Sequence, residues 1–211
     1  MKPFYSFIAL EPEERLHNLI LKAKNIVSET VGSQKYLQDP PHLTLQVGSF
    51  TDMDKIKSIL QRVAQAVSIE SIHLNGWHVF RDDPLTGGHT VVTNILDEDQ
   101  IKLRNNQYLV LQATRPLLNI EPCIQRYSAS WEKLSLVQRA STEAWGFPFT
   151  GADWHPHVTV ASISQDRWSF IWDTLEKLSP HGVFSFPKIC LYQLDDKQVA
   201  EKIAEFPFAH L

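Results

Sequence analysis

The sequence predicts an α+β fold built from two similarly ordered halves, and three observations carry that expectation. With 211 residues, 43% of them apolar, the chain can bury a substantial core, as one bilobal domain or as two small ones. The order strand, helix, strand, helix, strand can be read twice, over about 4–80 and 89–194. A five-residue pattern of proline, histidine, aliphatic, threonine and aliphatic stands once in each half, at Pro41-His42-Leu43-Thr44-Leu45 and Pro156-His157-Val158-Thr159-Val160.

In the first half, Phe4 to Leu10 is an aromatic and aliphatic run that reads as a buried strand. Glu11 to Arg15 ends it too early for a signal peptide or a membrane span. From Pro12 to Val27, the residues Leu16, Leu19, Ile20, Ala23 and Val27 recur at helical spacing. Pro12 suits the first turn, where no amide donor is missed, and Gly32 with Ser33 closes the helix. After the breaker Asp39-Pro40-Pro41, the stretch His42 to Val47 alternates as a strand does. A helix from about Asp52 to Ala66 places Ile56, Ile59, Leu60 and Val63 on one face, and a strand follows around Ile69 to Phe80. Arg81 to Gly88, with Pro84, Gly87 and Gly88, forms a turn.

The second half repeats the order with one addition. His89 to Ile95 reads as a strand, and Asp97 to Leu117 as a helix by the spacing of Ile101, Tyr108 and Leu111, with an extended alternative over Tyr108 to Leu111. Leu118 to Asp153 is an inserted segment, in which Ile124, Tyr127, Trp131 and Leu134 have helical spacing. His157 to Ser162 is a strand, Arg167 to Leu178 a helix and Val183 to Leu194 a strand. Residues 198–208 fit a helix by Val199, Ile203 and Phe206, and an edge strand by Pro207 and the aromatic ending.

Composition narrows the function. Lys plus Arg total 20 against 24 Asp plus Glu, a net charge of −4, which argues against non-specific binding to long nucleic acid and restricts any such contact to an end or a few nucleotides. Cys123 and Cys190 lack metal-ligand spacing and make no disulfide scaffold, so a reducing cytoplasm is expected, with no membrane association.

The doubled pattern is the centre of the reading. With nine histidines, a bare His-x-Ser/Thr arises about once by chance, whereas the full five-residue pattern is expected about 0.01 times and occurs twice. On a strand, His42 and Thr44 project to one face while Leu43 and Leu45 enter the core, and His157 and Thr159 do likewise. If the halves pack about a pseudo-twofold axis, the two pairs face each other across a cleft. Imidazole titrates near pH 6.5, so one histidine can take a proton from a nucleophile while the other gives one to the leaving oxygen. The threonine hydroxyls are placed to donate to non-bridging phosphoryl oxygens. This scheme needs no metal and no cofactor.

These motifs resemble the paired His-hydrophobic-Thr/Ser-hydrophobic tetrapeptides of the 2H phosphoesterase superfamily, which includes the 2′-5′ RNA ligase-like proteins and the cyclic phosphodiesterases. The likeness extends to the opening strand and helix, the separation of the motifs, and the closing Ile189-Cys190-Leu191-Tyr192 strand followed by a segment ending in Phe206-Pro207-Phe208, which favours a strand over 198–208. The resemblance implies a single bilobal domain with an antiparallel sheet and flanking helices in each lobe and the active-site cleft between them. It implies metal-independent chemistry on 2′,3′-cyclic or 2′-5′ phosphodiesters of RNA ends or small nucleotides. His42, Thr44, His157 and Thr159 take the catalytic positions; members of the family differ in which histidine is acid and which is base for a given bond, and the reading adopted is His157 as base and His42 as acid. A binding module with little turnover and a 2′-5′ RNA ligase are the competing readings. The insertion is a departure from the better-known members and leaves substrate choice open, and oligomeric state is unreadable.

Three further residues are candidates for substrate contact. Trp154, three residues before His157, lines the cleft or packs in the core. Arg81, after the strand bearing Trp77 and Phe80, neutralises a phosphate or is a solvated turn residue. Tyr192 reaches a base or phosphate, or is a half-buried sheet tyrosine. His155-Pro156-His157 lacks the partners of a metal site, leaving His155 a rim residue, and His73, His78 and His89 read as structural or exposed.

Overall fold

Alternation along the strands sorts the apolar residues of this protein onto two four-stranded antiparallel sheets. The computed structural model describes residues 4–67, 71–195 and 198–208. β1 (Phe4–Glu11) turns Ile8 and Leu10 to the main core and Phe7 and Ala9 to a smaller apolar cluster on its other face, as a strand buried on both sides does. α1 (Glu14–Val31) buries Leu16, Ile20, Ala23 and Val27 and stops at Gly32, whose φ of +77° favours glycine. β2 (Leu43–Phe50) pairs with β1, and α2 (Met53–Ala66) begins at Asp52, whose carboxylate accepts the Lys55 amide at 3.0 Å. β3 (Ile72–Phe80) and β4 (His89–Ile95) flank the expected turn, while Ile69 lies outside the described residues.

α3 (Asp97–Thr114) is helical throughout and runs into a 3-10 turn at Arg115–Leu117. The insertion folds as α4 (Ile120–Arg126), a 3-10 helix at Ser128–Lys133, α5 (Leu136–Trp145) and a 3-10 turn at Gly151–Asp153. β5 (Thr159–Ile163), a 3-10 helix at Gln165–Phe170, α6 (Trp172–Glu176), β6 (His181–Phe184), β7 (Lys188–Leu194) and β8 (Ala200–Pro207) complete the order.

One sheet runs β2-β1-β7-β8 and the other β5-β4-β3-β6. The orders correspond when β2 is matched with β5, β1 with β4, β7 with β3 and β8 with β6. Each half therefore hands its closing strand to the sheet begun by the other. The helices follow the same exchange: α1 packs against β5 and α3 against β2. So do the segments after them, Lys35 bridging to Ser162 on β5 and Leu118 to Phe50 on β2. Among the described residues no helix is long and apolar enough to cross a membrane.

Four expectations need correction. The helix α3 forms, but Ile101 and Tyr108 are 59% and 56% exposed, and its buried side holds Leu103, Gln107, Val110 and Leu111. Gln107 can be buried because its amide donates to the carbonyls of Leu45 and Phe149, at 3.1 and 3.0 Å. The helix expected over 167–178 is two short pieces, since the run Trp168-Ser169-Phe170-Ile171-Trp172 is poor in helix formers and Ile171 leaves the helical region at φ −123°. The expected strand Val183–Leu194 is two strands in different sheets, interrupted at Ser185-Phe186-Pro187, where proline has no amide to donate. In the insertion, the helical spacing from Ile124 to Leu134 breaks at Tyr127, where the backbone leaves α geometry ahead of the poor helix formers Ser128 and Ser130.

Candidate active site

Leu43 and Val158 form an isolated antiparallel bridge between the edge strands β2 and β5. Both side chains are fully buried, so alternation turns His42, Thr44, His157 and Thr159 together to the opposite face. The antiparallel register through that bridge sets His42 opposite Thr159 and Thr44 opposite His157. Burial runs in step through the two motifs: proline buried, histidine half-buried, aliphatic buried, threonine half-buried, aliphatic buried. Among the described residues neither threonine hydroxyl has a protein partner, which leaves both available to a ligand.

The imidazoles are held alike. His42 Nδ1 lies 2.7 Å from the Pro40 carbonyl oxygen, and His157 Nδ1 lies 2.6 Å from that of His155. A carbonyl only accepts, so Nδ1 carries the proton in each ring and the neutral imidazole keeps its lone pair on Nε2. The second motif is clamped further by Thr93, whose hydroxyl accepts the Val158 amide at 2.9 Å while its own amide donates to the Val158 carbonyl at 3.0 Å.

Aromatic rings surround both histidines. The Phe7 ring stands 4.6 Å from His42 and stacks at 4.6 Å on Tyr192. Phe80 meets His157 edge-on at 5.4 Å, and His78 lies 4.7 Å from His155. Burial lowers the pKa of both motif histidines. For His157 the Nδ1 bond opposes this, but His155, His42 and His78 all repel a further proton, and the value falls to about 4. His42 is opposed by its bond to Pro40 and by the Asp39 carboxylate, with Lys24 lowering it and Glu11 raising it. His42 thus has carboxylates near it, whereas His157 has only other histidines.

Of the candidates for substrate contact, none reaches the histidines with a free polar group. Trp154 is 3% exposed and belongs to the main core, so it offers a ligand no surface. Tyr192 is 2% exposed, and its hydroxyl donates to the Glu11 carboxylate, so its ring is floor beneath Phe7 rather than a polar contact. Arg81 is exposed, with its guanidinium 5.7 Å over the Trp168 ring. Phe7, Phe80 and Thr93, which the sequence does not single out, and His78, which reads there as structural or exposed, border the histidines; they come from strands whose pairing a single sequence does not reveal. The period-2 alternation of β1, β3 and β4 is their only signal.

Among the described residues one group has metal-ligand character, Glu11 with Cys190 and Glu205. Lys188 and Lys202 each contact both carboxylates, at 2.7 to 3.2 Å, and already balance their charge. Burial raises the Glu11 carboxyl, but hydrogen bonds from Tyr192 and Lys202 outweigh it and hold the pKa at about 2. This network carries the floor of the His42 site.

Solved structures share the fold, among them the following three. The chain is similar to E. coli LigT complexed with 3′-AMP at 12% identity, covering 100% of each chain with a TM-score of 0.54. It is similar to TT0787 of Thermus thermophilus at 16% identity, covering 98% of this chain and 100% of that one, with a TM-score of 0.52. A third, described as a phosphoesterase, is 11% identical over 98% of this chain and 99% of that one, with a TM-score of 0.51. No curated protein sequence matches the chain. Residues 12–198, both motifs included, match the family model described as the 2′-5′ RNA ligase superfamily. That span takes in most of the chain and every strand but the first and last in full, and the chain belongs to the 2′-5′ RNA ligase superfamily, among the 2H phosphoesterases.

Proposed function

We propose that this protein is a phosphodiesterase that opens a 2′,3′-cyclic phosphate, or cleaves a 2′-5′ linkage, at an RNA end or in a small nucleotide, by acid/base catalysis from His42 and His157. The observation that carries this reading is the equivalence of the two motifs, joined at Leu43 and Val158 and each with Nδ1 tied to a carbonyl. Two Nε2 atoms are then left on one face to act at opposite ends of a displacement. Water attacks phosphorus as His157 Nε2 takes its proton, the bond from phosphorus to the ribose oxygen breaks, and His42 Nε2–H protonates that oxygen. Proton exchange with solvent resets the pair. The Thr44 and Thr159 hydroxyls donate to the non-bridging oxygens as charge builds there.

His42 is assigned the acid because the carboxylates of Asp39 and Glu11 favour its protonation, while the surroundings of His157 do not. A phosphate between the rings raises both pKa values and supplies the charge that burial withholds. The likeness to a protein complexed with 3′-AMP is in keeping with a nucleoside phosphate as product. His42→Ala and His157→Ala should each lower turnover of 2′,3′-cyclic nucleotides and 2′-5′ oligonucleotides by roughly 10²-fold or more with folding intact. EDTA should leave the rate unchanged. Undiminished turnover in either variant would sink the mechanism.

The depressed pKa of both rings favours a second reading, a module that captures a nucleotide without converting it, should a bound phosphate fail to recharge His42. Calorimetric titration beside product analysis separates the two, and the same product analysis reports end joining, the reverse displacement.

A further inference from the structure

The insertion is anchored against the His42 sheet at several independent points. Asn119 donates its amide to the Ser49 carbonyl at 2.8 Å, the Ser49 amide donates to Cys123 Sγ at 3.2 Å, and the Tyr5 hydroxyl donates to the Pro122 carbonyl. Gln46 reaches the Trp145 carbonyl at 3.3 Å. These anchors fix α4 over the start of β1, at Tyr5.

Tyr5 and Phe7 are two apart on β1 and share a face, and Phe7 is the ring against His42. Arg126, in the last turn of α4, places its guanidinium 5.2 Å over the Tyr5 ring. Its charge also bears on the phenols of Tyr127 and Tyr36, and Tyr36 stands in the segment that leads to His42. Among the described residues Arg126 has no carboxylate within ion-pair distance, whereas Arg139 of the same insertion is taken up by Glu132 and by the carbonyls of Trp131 and Leu134. The carboxylates of Asp39 and Asp83 both bear on Tyr36, and Asp83 is engaged by the Thr90 hydroxyl and the Leu85 amide. At about 3.4 Å of rise per strand residue, the path from His42 through Phe7 and Tyr5 to Arg126 is about 17 Å and the direct distance no longer, within reach of about two nucleotides of single strand.

We infer that Arg126 and Tyr5 form a second phosphate subsite, which holds a backbone phosphate of single-stranded RNA about one or two nucleotides from the bond acted on at the histidines. The inference rests on the proposed function and deepens it: the insertion makes the substrate an RNA end rather than a free cyclic mononucleotide. Arg126 is exposed, its guanidinium fixed over the Tyr5 ring and hydrogen-bonded to the Tyr127 phenol, and a planar fork with five donors keeps others for a phosphate oxygen.

The test compares a tetranucleotide with a mononucleotide, each ending in a 2′,3′-cyclic phosphate for turnover and in a 3′-phosphate for binding, in wild type, Arg126→Gln and Arg126→Lys. Arg126→Gln should raise KM and Kd for the tetranucleotide about tenfold and leave both mononucleotide values unchanged, which also certifies folding. The slope of log affinity against log salt for the tetranucleotide should fall by about 0.7 in Arg126→Gln and stay near wild type in Arg126→Lys. Equal effects on both ligands, no effect on either, or wild-type binding no tighter for the tetranucleotide would overturn the subsite, even with turnover intact. Arg126-dependent tetranucleotide binding in a protein that converts neither ligand would support the subsite while refuting the proposed hydrolysis.

Discussion

Each motif histidine donates Nδ1–H to a carbonyl two residues upstream, so its ring cannot turn without giving up that bond. The orientation of both Nε2 atoms is therefore set by the main chain. The pH response follows from burial. In the free protein His157 is neutral above about pH 4, while a protonated His42 becomes scarce as pH rises through a value below its ordinary 6.5. The product of those two fractions peaks between these limits, so kcat/KM should have an acidic optimum. The kcat profile, reporting a complex whose phosphate raises both pKa values, should peak at higher pH. Rates at subsaturating and saturating substrate across pH 4–9 check this, and superimposable profiles centred above neutrality would refute it. At this scale the sequence was highly legible, since His42, Thr44, His157 and Thr159 are marked by a doubled pattern. Of the two alternatives open to Trp154 and Tyr192, both take the packed one, and the sequence does not choose because proximity to a motif, or presence on a nearby strand, says nothing of which face a ring occupies.

At the level of single elements, the insertion depends on how α5 ends. Gly146 caps that helix at φ +70°, and a Cβ there would stand 2.8 Å from Cys123 Sγ, the atom that accepts the Ser49 amide. Gly32 caps α1 at a similar φ of +77° but with open space around it. Gly32→Ala should thus cost only the backbone strain, about 1 kcal/mol, and Gly146→Ala should cost about 2 kcal/mol or more because it adds a clash with a sulfur that cannot retreat. Urea unfolding of both variants measures the difference, and equal losses would show that Cys123 gives way. Helix and strand positions were largely legible from periodicity and from breakers such as Gly32 and the 81–88 turn. The buried side of α3 was not, because Gln107 is buried by its hydrogen bonds and carries no apolar signal. Nor was the break before Pro187, since Val183 to Leu194 is apolar enough to pass for one strand.

For the whole molecule, buried neutral histidines set the acid limit of stability. His155 and His157 bind protons in the unfolded chain near pH 6.5 but in the folded one only near 4. Their contribution is complete above about pH 6.5 and is lost as pH falls through 4, with a slope of about 1.4 kcal/mol per pH unit for each ring in between. Glu11, held at about 2 in the fold, stays ionised there while its unfolded counterpart takes up a proton near pH 4.5, so it adds to the loss at the acid end of that range. Thermal unfolding from pH 7 to 4 should show the loss, and its absence in His155→Gln would assign that ring its share. The exchange of closing strands also has a bearing on time. β1 finds β7 as its neighbour, Leu10 opposite Ile189, whereas every strand of the other sheet lies between Ile72 and Phe184. As the chain leaves the ribosome, the sheet begun second can be finished first, and the sheet begun first waits for the last strands to emerge. Pulse-labelled hydrogen exchange during refolding should accordingly protect β3 and β4 before β1, and the protein should acquire the seat of His42 only once β7 has emerged.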